Sequence, residues 1–338
     1  MGKRVLVTGC SGYLGGFLIP RLLEHPLVNR VVGIDVRPAG LAEHPKYRFV
    51  SGDIRDEYLL RSVLEDEDVD TILHLAFMNA DGAEHVMARE TNLHGTLVVL
   101  EASNKSSHVQ KLIIAGSTAA YGARRANPPL LAETNPLRAS GLAYALHKRR
   151  IEEELARAML QVRQSLRVAV LRLALIVGPG ERPGGPVQRL RDLPFGVSVL
   201  GRKGAIQLLS EEDAAASFCR ALEAEGLRGA YNVAPEDSLT VAEICSILGK
   251  RRLPIPRAAL WLALFLGRRF FGATIPEGVV SYLAYPVVAA GKKFREATGF
   301  ACSDTSREAL TRCVQSLRAG GPGPTAAQPA APIADLLS

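Results

Sequence analysis

A glycine-rich turn lies between a strand-like run and a helix-like run at the start of the chain. TGCSGYLGG covers residues 8–16, after the apolar run KRVLV and before FLIPRLLEH. Its glycines Gly9, Gly12 and Gly15 follow a GxxGxxG spacing. Small residues here let the backbone approach a pyrophosphate, and the next helix offers its first N–H groups to the same anion. A strand, a glycine turn and a helix in this order predict a nucleotide-binding βαβ unit.

Apolar runs alternate with helix-like stretches along most of the chain. The predicted strands are KRVLVTG, RVVGIDVR, RFVSGDIRD, VDTILHLA, QKLIIAGS, LRVAVLRLALIVGPG and, later, AYNVAP. Alternation at this spacing is typical of βαβ units with a parallel sheet, and continuous apolar strands such as LIIA suit a sheet covered on both faces. We therefore predict an α/β fold, a Rossmann-like doubly wound parallel sheet with a smaller, interleaved carboxyl-terminal substrate lobe.

Changes of composition along the 338 residues suggest how the chain is divided. We expect an NAD(P)-binding Rossmann domain at 1–178, with 207–232 returning to it. The substrate-binding lobe is expected at 179–206 and 233–317. The last segment, 318–338, is rich in Pro, Ala and Gly and lacks apolar periodicity, which predicts a disordered tail.

Cysteine usage and charge narrow the class of protein. The five cysteines are scattered without a CxxC pair, so zinc and disulfide frameworks are disfavoured and reduced cytoplasmic thiols are expected. The chain starts directly on a strand, so we expect a cytoplasmic protein without a signal peptide. The net charge of +7 favours anionic ligands, but no nucleic-acid-binding motif is present in the sequence. We predict neither a metal site nor a nucleic-acid partner.

The segment 255–290 is unusually apolar. Its longest run, AALWLALFLG at 258–267, stops at Arg268 and Arg269 and is shorter than the roughly 20 residues that cross a bilayer. One interpretation is a buried helix of the second lobe. The other is a lid or a membrane-surface helix, with peripheral membrane contact through 255–271.

An acidic residue ends the second predicted strand. Asp35 lies 20 residues beyond Gly15, where a carboxylate accepts hydrogen bonds from ribose hydroxyls and repels a 2′-phosphate. This favours NAD over NADP. The nearby Arg37 is able to hold that phosphate, so NADP remains the second choice.

A tyrosine and a lysine follow the fifth predicted strand with helical spacing. Tyr144 and Lys148, in YALHK, are four residues apart and share one helix face. A phenol has a pKa near 10, and a nearby ammonium together with an oxidised nicotinamide favours the phenolate. Ser117, at the end of the fifth strand, offers a hydroxyl to a substrate oxygen. Their occurrence with the glycine loop and Asp35 favours a proton-transfer site over a chance surface pair.

Together these motifs resemble the extended short-chain dehydrogenase/reductase family, specifically its NAD-dependent epimerase/dehydratase group. The resemblance extends over about residues 3–316. It is carried by TGCSGYLG, Asp35, GDI at 52–54, HLAF at 74–77, NLHGT at 92–96, STAAYG at 117–122, YALHK at 144–148 and RLALIVGPG at 172–180.

The resemblance implies a role for each matching position. The implied NAD contacts are Gly9, Gly12, Tyr13, Leu14 and Gly15 at the pyrophosphate, Asp35 at the adenosine ribose, Asp53 and Ile54 at the adenine, Ala76 and Phe77 on the nicotinamide side, Asn92 in support, and Lys148 at the nicotinamide ribose. The implied catalytic set is Ser117, Tyr144 and Lys148. The resemblance also implies a homodimer formed by the helices that start near Asn92 and Tyr144.

Two departures from the family pattern bear on the reaction. Ala119 and Ala120 stand where sugar-nucleotide dehydratases carry an Asp-Glu pair, so dehydration is disfavoured. Leu175 replaces the Asn of the epimerase pattern R-x-x-N-x-x-G-P, and it cannot give that hydrogen bond to a nucleotide sugar. The second departure and the apolar second lobe are similar to a branch of the family that acts on hydrophobic alcohols and ketones.

Three functions remain open from the sequence. The leading one is an NAD(P)-dependent oxidoreductase that transfers hydride at a secondary hydroxyl or ketone of a small-molecule substrate with a Ser-Tyr-Lys triad. The second is an NAD-dependent nucleotide-sugar epimerase similar to UDP-glucose 4-epimerases, which needs the same three residues. The third belongs to another class, a non-catalytic nucleotide-sensing binding protein.

Overall fold

The computed structural model describes residues 2–38, 40, 43–78, 85–180, 185–271 and 278–319. Its strands are β1 Lys3–Thr8, β2 Val28–Asp35, β3 Tyr47–Ser51, β4 Thr71–His74, β5 Lys111–Ser117, β6 Arg167–Leu173, β7 Leu175–Val177, β8 Gly196–Val199, β9 Ala205–Ile206, β10 Leu208–Ser210, β11 Gly229–Val233, β12 Leu239–Thr240 and β13 Arg252–Ile255. Its helices are α1 Tyr13–Glu24, α2 Glu57–Asp66, α3 His85–Lys105, α4 Ala143–Ala158, α5 Pro186–Asp192, α6 Glu211–Glu223, α7 Val241–Ile247, α8 Arg257–Phe271, α9 Val279–Ala284, α10 Lys292–Thr298 and α11 Ser306–Ala319.

The main sheet has seven strands in the order β11-β6-β5-β4-β1-β2-β3. Every neighbouring pair in it is parallel. Side chains of β1 alternate between its two faces: Val5 and Val7 pack with α1 and α6, whereas Leu6 packs with α2, α3 and α4. Helices therefore cover both faces, which explains the uninterrupted apolar strands and confirms the predicted doubly wound α/β fold.

The sixth predicted strand is not one strand. β6 ends at Leu173, and the amide of Ala174 donates to the carbonyl of Val233 at 2.9 Å. The chain then continues as β7, which leaves the main sheet and pairs in parallel with β10. The prediction of a single strand through LRVAVLRLALIVGPG was wrong because a second, equally apolar partner competes for its last residues.

The carboxyl-terminal part consists of short elements around small sheets. β12 pairs with β9 and β13 pairs with β8, each forming a sheet of two strands. Within 207–232, α6 packs on α1, and β11 joins the edge of the main sheet beside β6. We keep the division into two interleaved lobes as a proposal that suits this arrangement.

Helix α8 carries the apolar segment singled out in the sequence. Leu260 on this helix is buried, but Trp261, Leu262, Phe265 and Leu266 are exposed, which corrects the interpretation of a fully buried helix. Of the helices in the described part of the chain, none combines the length and apolarity needed to cross a membrane. Of the predicted disordered tail, Arg318 and Ala319 instead belong to α11, and the rest, from 320 onward, lies outside the described residues.

Candidate active site

The glycine loop joins the carboxyl end of β1 to α1. Gly9 has a φ of +70°, and a Cβ on it would lie 2.6 Å from the backbone of Ala76. A Cβ on Gly15 would lie 2.3 Å from the carbonyl oxygen of Cys10. Gly12 is the N-cap of α1 and provides no side-chain cap. The loop is thus as close-packed as backbone allows, and the amino end of α1 is suited to an anionic ligand.

The predicted ribose-binding acid stands beside this loop. One carboxylate oxygen of Asp35 accepts the amide N–H of Ser11 at 3.1 Å, and the other accepts that of Arg37 at 3.2 Å. The Ser11 hydroxyl donates to the Arg37 carbonyl at 2.6 Å, while the Arg37 side chain is exposed. Asp35 is thereby fixed at the edge of the loop with its oxygens next to the predicted pyrophosphate site.

The two residues predicted to meet the adenine, Asp53 and Ile54, lie after β3. Asp53 forms an ion pair with Arg55 at 2.6 Å, and hydrogen bonds from Arg55 lower the pKa of Asp53. Ile54 is buried in the core, where a Cβ on Gly95 would touch its side chain. Asp53 is therefore ionised, and Ile54 beside it belongs to the buried apolar core.

The segment after β4 is held by a buried amide. Asn92 accepts the Met78 N–H at 2.7 Å and donates to the Met78 carbonyl at 2.8 Å. This bracket positions Ala76 near the glycine loop and Phe77 near the predicted catalytic residues. The Phe77 ring meets the ring of Tyr144 edge-on, with 5.3 Å between centroids.

Ser117 and Tyr144 come together from β5 and α4. Ser117 is buried at the end of β5, where its Oγ accepts the Ala119 N–H at 3.2 Å and caps a short 3-10 turn. Tyr144 lies in the first turn of α4. Burial raises the pKa of the Tyr144 phenol, and its hydrogen bond with the Ser117 side chain acts in the opposite direction.

Lys148 lies one helical turn after Tyr144 and is buried. Its Nζ donates to the Ala115 carbonyl at 2.7 Å and lies 3.9 Å from the centroid of the Phe77 ring. Burial lowers the pKa of Lys148 to about 7, and the Glu152 carboxylate acts in the opposite direction. The sequence pattern thus produces a shared helix face with one phenol and one ammonium.

A buried ion pair lies next to the face of α4 that carries Tyr144 and Lys148. Glu152, one further turn along α4, accepts from Nε of Arg172 on β6 at 2.7 Å. Arg172 also donates to the phenol oxygen of Tyr121 at 2.7 Å, and that phenol donates to Asn232 at 2.8 Å. This network ties α4 to β6 and β11, and so holds the stripe that carries Tyr144 and Lys148.

Three residues near the site were not assigned a role from the sequence. Buried His74 lies between the hydroxyls of Thr8, at 2.7 Å, and Thr96, at 2.9 Å, and burial lowers its pKa to about 3. It is therefore neutral and positions the end of β4. HLAF contained this histidine, but nothing in the pattern distinguished it from a core residue.

The other two come from the carboxyl-terminal part. Glu211 accepts the Gly180 N–H at 3.0 Å and also the hydroxyl of Tyr13. Tyr282 on α9 donates to the Ala119 carbonyl at 2.9 Å, and burial together with Tyr144 raises its pKa. Both depend on contacts between distant segments, for which the sequence offers no local signal.

Within the described ranges, no group of three or more His, Cys, Asp or Glu side chains is placed to hold a metal ion. The five cysteines are all free thiols. The glycine loop at the amino end of α1 is the part of this site that suits a phosphate group.

Comparison of sequences gives a consistent set of relatives. The sequence model of the NAD-dependent epimerase/dehydratase family matches residues 5–234. An uncharacterised protein of Mycobacterium tuberculosis is 28% identical over 315 residues, which are 91% of this chain and 82% of that protein. A UDP-glucose 4-epimerase of Lactobacillus helveticus is 30% identical over 139 residues, 40% of this chain and 41% of the enzyme.

Solved structures share the fold over almost the whole chain. A UDP-glucose 4-epimerase of Thermotoga maritima, solved with UDP-glucose, has a TM-score of 0.71 at 21% identity and covers 94% of this chain and 99% of its own. A dTDP-glucose 4,6-dehydratase of Bacillus anthracis, solved with NAD, has a TM-score of 0.71 at 20% identity, with 94% and 97% covered. At this identity the likeness establishes the fold.

Proposed function

Because the chain belongs to the NAD-dependent epimerase/dehydratase family, we propose that it is an NAD-dependent enzyme acting on a secondary hydroxyl or ketone of a small molecule. The proposed reaction is hydride transfer with Ser117, Tyr144 and Lys148 as catalytic residues. The observation that carries it is their convergence: the Ser117 side chain lies close enough to the Tyr144 phenol to lower its pKa, and Lys148 is buried one turn away on the same helix.

The residues present suit NAD. The glycine loop and the uncapped end of α1 would hold the pyrophosphate, and Asp35, fixed beside them, would accept the adenosine ribose hydroxyls. Asp53 and Ile54 would line the adenine, while Ala76, Phe77 and Lys148 would line the nicotinamide end. When bound, NAD supplies the hydride acceptor. NADP suits this site less well, because the Asp35 carboxylate would repel its 2′-phosphate.

The three catalytic side chains have distinct tasks in this proposal. Ser117 donates a hydrogen bond to the substrate oxygen and so fixes it against Tyr144. Tyr144 accepts the proton of the substrate hydroxyl during oxidation and returns it during reduction. Lys148 orients the ribose and, when charged, favours the phenolate form of Tyr144.

The pKa values of the site suggest when it becomes active. Burial raises the pKa of Tyr144, so its phenol is protonated at neutral pH in the ligand-free protein. Lys148, with a pKa of about 7, carries a full charge only below neutrality in that state. We therefore expect the positive charge of the oxidised nicotinamide to complete the activation, which ties proton transfer to a filled site.

A nucleotide-sugar epimerase is the second candidate function. It is favoured by the 30% identity to a UDP-glucose 4-epimerase over 139 residues. Against it stands Leu175, which is 42% exposed at the start of β7 and cannot offer an amide to a sugar. Both functions use the same three catalytic residues, so only the fate of the hydride separates them. The homodimer and the cytoplasmic location remain predictions.

The test compares the wild-type protein with Tyr144→Phe. We expect the substitution to lower turnover by about 10²–10⁴-fold, because it removes the proton acceptor, while NAD affinity stays unchanged. Tyr58→Phe, at a phenol that is 87% exposed, is the matched control and should leave both quantities unchanged. Turnover is measured against panels of nucleotide sugars and of hydrophobic alcohols and ketones, and nucleotide affinity by calorimetry.

The outcome also separates the candidate functions. NADH that accumulates with substrate oxidation indicates a dehydrogenase, whereas isomerised product with no net NADH, and NAD retained through purification, indicates an epimerase. If both the wild type and Tyr144→Phe bind NAD and neither has activity on any substrate of the panels, the result indicates a nucleotide-sensing binding protein. If neither NAD nor NADP binds, the proposed role of the glycine loop is wrong.

A further inference from the structure

A long basic and apolar stretch precedes α9 and has no acidic residue. Between residues 244 and 276 the sequence holds no Asp or Glu. Its basic residues are Lys250, Arg251, Arg252, Arg257, Arg268 and Arg269. The proposed function uses none of them.

Helix α8 occupies the middle of this stretch and is anchored by one stripe. Leu260 and Leu264 pack with Val199, Val280 and Ala284 in a small apolar cluster. At 100° per residue, these two leucines lie within 40° of each other on the helix. The opposite side of the helix is therefore turned away from the protein.

That opposite side is apolar. Three of its residues lie roughly 120° to 220° around the helix from the middle of the anchoring stripe: Leu262, Phe265 and Leu266. Trp261 lies at the edge of this apolar side, between it and the anchoring stripe. All four are between 40% and 50% exposed. The rings of Trp261 and Phe265 stack, with centroids 5.6 Å apart and an angle of 9° between planes. We call these four residues the α8 face. An amphipathic helix of a globular protein normally turns such residues inward.

Arginines precede and begin the helix that carries the α8 face. Arg251 and Arg252 are exposed at the start of β13, the strand before the helix, and Arg257 is the first residue of α8. Arg257 and Arg202 both lie over the ring of Tyr285, at 5.8 Å and 5.5 Å from its centroid. Among described residues, Arg251, Arg252 and Arg257 form no ion pair. Their positive charge is therefore not neutralised within the described protein.

We propose that the α8 face docks on the surface of an anionic lipid membrane. Trp, Phe and Leu side chains suit the boundary between headgroups and acyl chains, and arginines beside them suit anionic headgroups. Charge argues against a second copy of this chain. Parallel packing of two α8 faces would bring like ends together, and antiparallel packing would bring the Arg257 end of one helix to the Arg269 end of the other, so neither supplies an opposite charge. A bilayer supplies the opposite charge and the apolar layer at once.

The docking face lies one helix away from the candidate active site. Leu260 and Leu264 of α8 pack on α9, and α9 carries Tyr282, whose phenol donates to Ala119 beside Ser117. Docking would thus bring the substrate side of the site close to the membrane without placing any catalytic residue in it.

The test uses the full chain and its own fluorophore. Trp261 is the only tryptophan in the sequence, so intrinsic tryptophan emission reports on the α8 face alone. We expect co-sedimentation with vesicles of phosphatidylcholine and phosphatidylglycerol at low salt, a blue shift of the emission and protection from acrylamide. Vesicles of phosphatidylcholine alone should bind at least tenfold more weakly, and added salt should weaken binding to the mixed vesicles.

Variants separate the two parts of the surface. Phe265→Ser keeps Trp261 and should lower vesicle affinity at least tenfold, because it removes inserted apolar area. Arg251→Gln with Arg252→Gln should remove the preference for anionic lipid. Leu160→Ser, at an apolar side chain that is 87% exposed on the first lobe, is the matched control and should bind like the wild type.

Each other result overturns the proposal. Absence of binding to the mixed vesicles at low salt does so directly. Binding without a blue shift, or binding lost equally in Leu160→Ser, places the contact elsewhere. A blue shift that appears with rising protein concentration in the absence of vesicles identifies a second copy of the chain as the partner of this face.

Discussion

The same residue types are used in opposite ways at the two ends of the molecule. Near the candidate site, Arg172 is buried and paired with Glu152 at 2.7 Å. In the segment of α8, Arg251 and Arg252 before the helix are exposed, and Trp261 on the helix is half-exposed. In the first arrangement the buried arginine has its opposite charge within the chain. The second leaves apolar side chains exposed and arginines without an ion-pair partner among the described residues. This pattern is typical of a surface that binds a partner or a membrane.

The contrast separates residues that act through folding and active-site geometry from residues that act through binding at the surface. In the first lobe, Arg172 is buried and hydrogen-bonded to Glu152 and Tyr121, so a substitution in this network acts through geometry and folding. On the α8 face, substitutions should leave folding unchanged and alter only binding. Three further predictions test how the candidate site in the first lobe differs from the exposed second lobe. They are given from the largest to the smallest expected effect on ligand affinity or stability.

The largest effect is expected at the glycine loop. In Gly15→Ala the new Cβ would meet the carbonyl oxygen of Cys10 at 2.3 Å, and this backbone contact cannot yield without moving the loop. We expect NAD affinity to fall by at least about 100-fold and unfolding free energy to fall by about 2–4 kcal/mol. Calorimetric titration with NAD and urea unfolding measure the two quantities.

The next residue provides the control. Gly16 is exposed on α1, and a Cβ there would meet nothing within 4 Å. Gly16→Ala should retain NAD binding and raise stability by up to about 1 kcal/mol, because alanine is the better helix former. Equal behaviour of the two variants would show that the loop is not close-packed and would remove the basis for the contrast.

The sequence predicted most of the first lobe because its signals are local. Each strand is a continuous apolar run, the glycine loop follows a fixed spacing, and Tyr144 and Lys148 share a face by helical period alone. Parallel strands then bring Asp35, Phe77 and Ser117 to one edge of the sheet, as their positions after β2, β4 and β5 require.

The failures of prediction share one cause. The break at Ala174, the contact of Glu211 with Tyr13, and the contact of Tyr282 with Ala119 all join segments far apart in the chain. A local sequence pattern carries no information on which distant segment a residue will contact. The exposure of α8 belongs to the same class, since an apolar helix has the same sequence whether it is covered or not.

A smaller effect is expected from the buried ammonium. The pKa of Lys148 is lowered to about 7 in the folded protein from its ordinary 10.5, so between these values only the unfolded chain holds the proton. Stability conferred by this group therefore rises with pH across that window. Relative to Lys148→Met, the wild type should gain up to about 3 kcal/mol between pH ~7 and pH ~9. Urea unfolding of both proteins across this range measures the difference; a constant difference would mean that Lys148 titrates near its ordinary value.

The smallest effect is expected where the two ends meet. Tyr282 joins α9 to the turn after Ser117 by one hydrogen bond, from its phenol to the Ala119 carbonyl at 2.9 Å. Tyr282→Phe removes that bond, while the part-buried Ala119 carbonyl keeps the Gly122 N–H as a donor, so the change should cost at most about 1 kcal/mol of stability. Because the bond fixes the substrate side and not the proton acceptor, we expect KM to rise about fivefold while kcat and NAD affinity hold. Steady-state kinetics and NAD titration on Tyr282→Phe, with Tyr58→Phe as the exposed control, make the comparison. A loss of kcat with KM unchanged would instead place Tyr282 among the groups that act on the reacting atoms. The catalytic residues would then come from both lobes, and the contrast between the two regions would not hold for Tyr282.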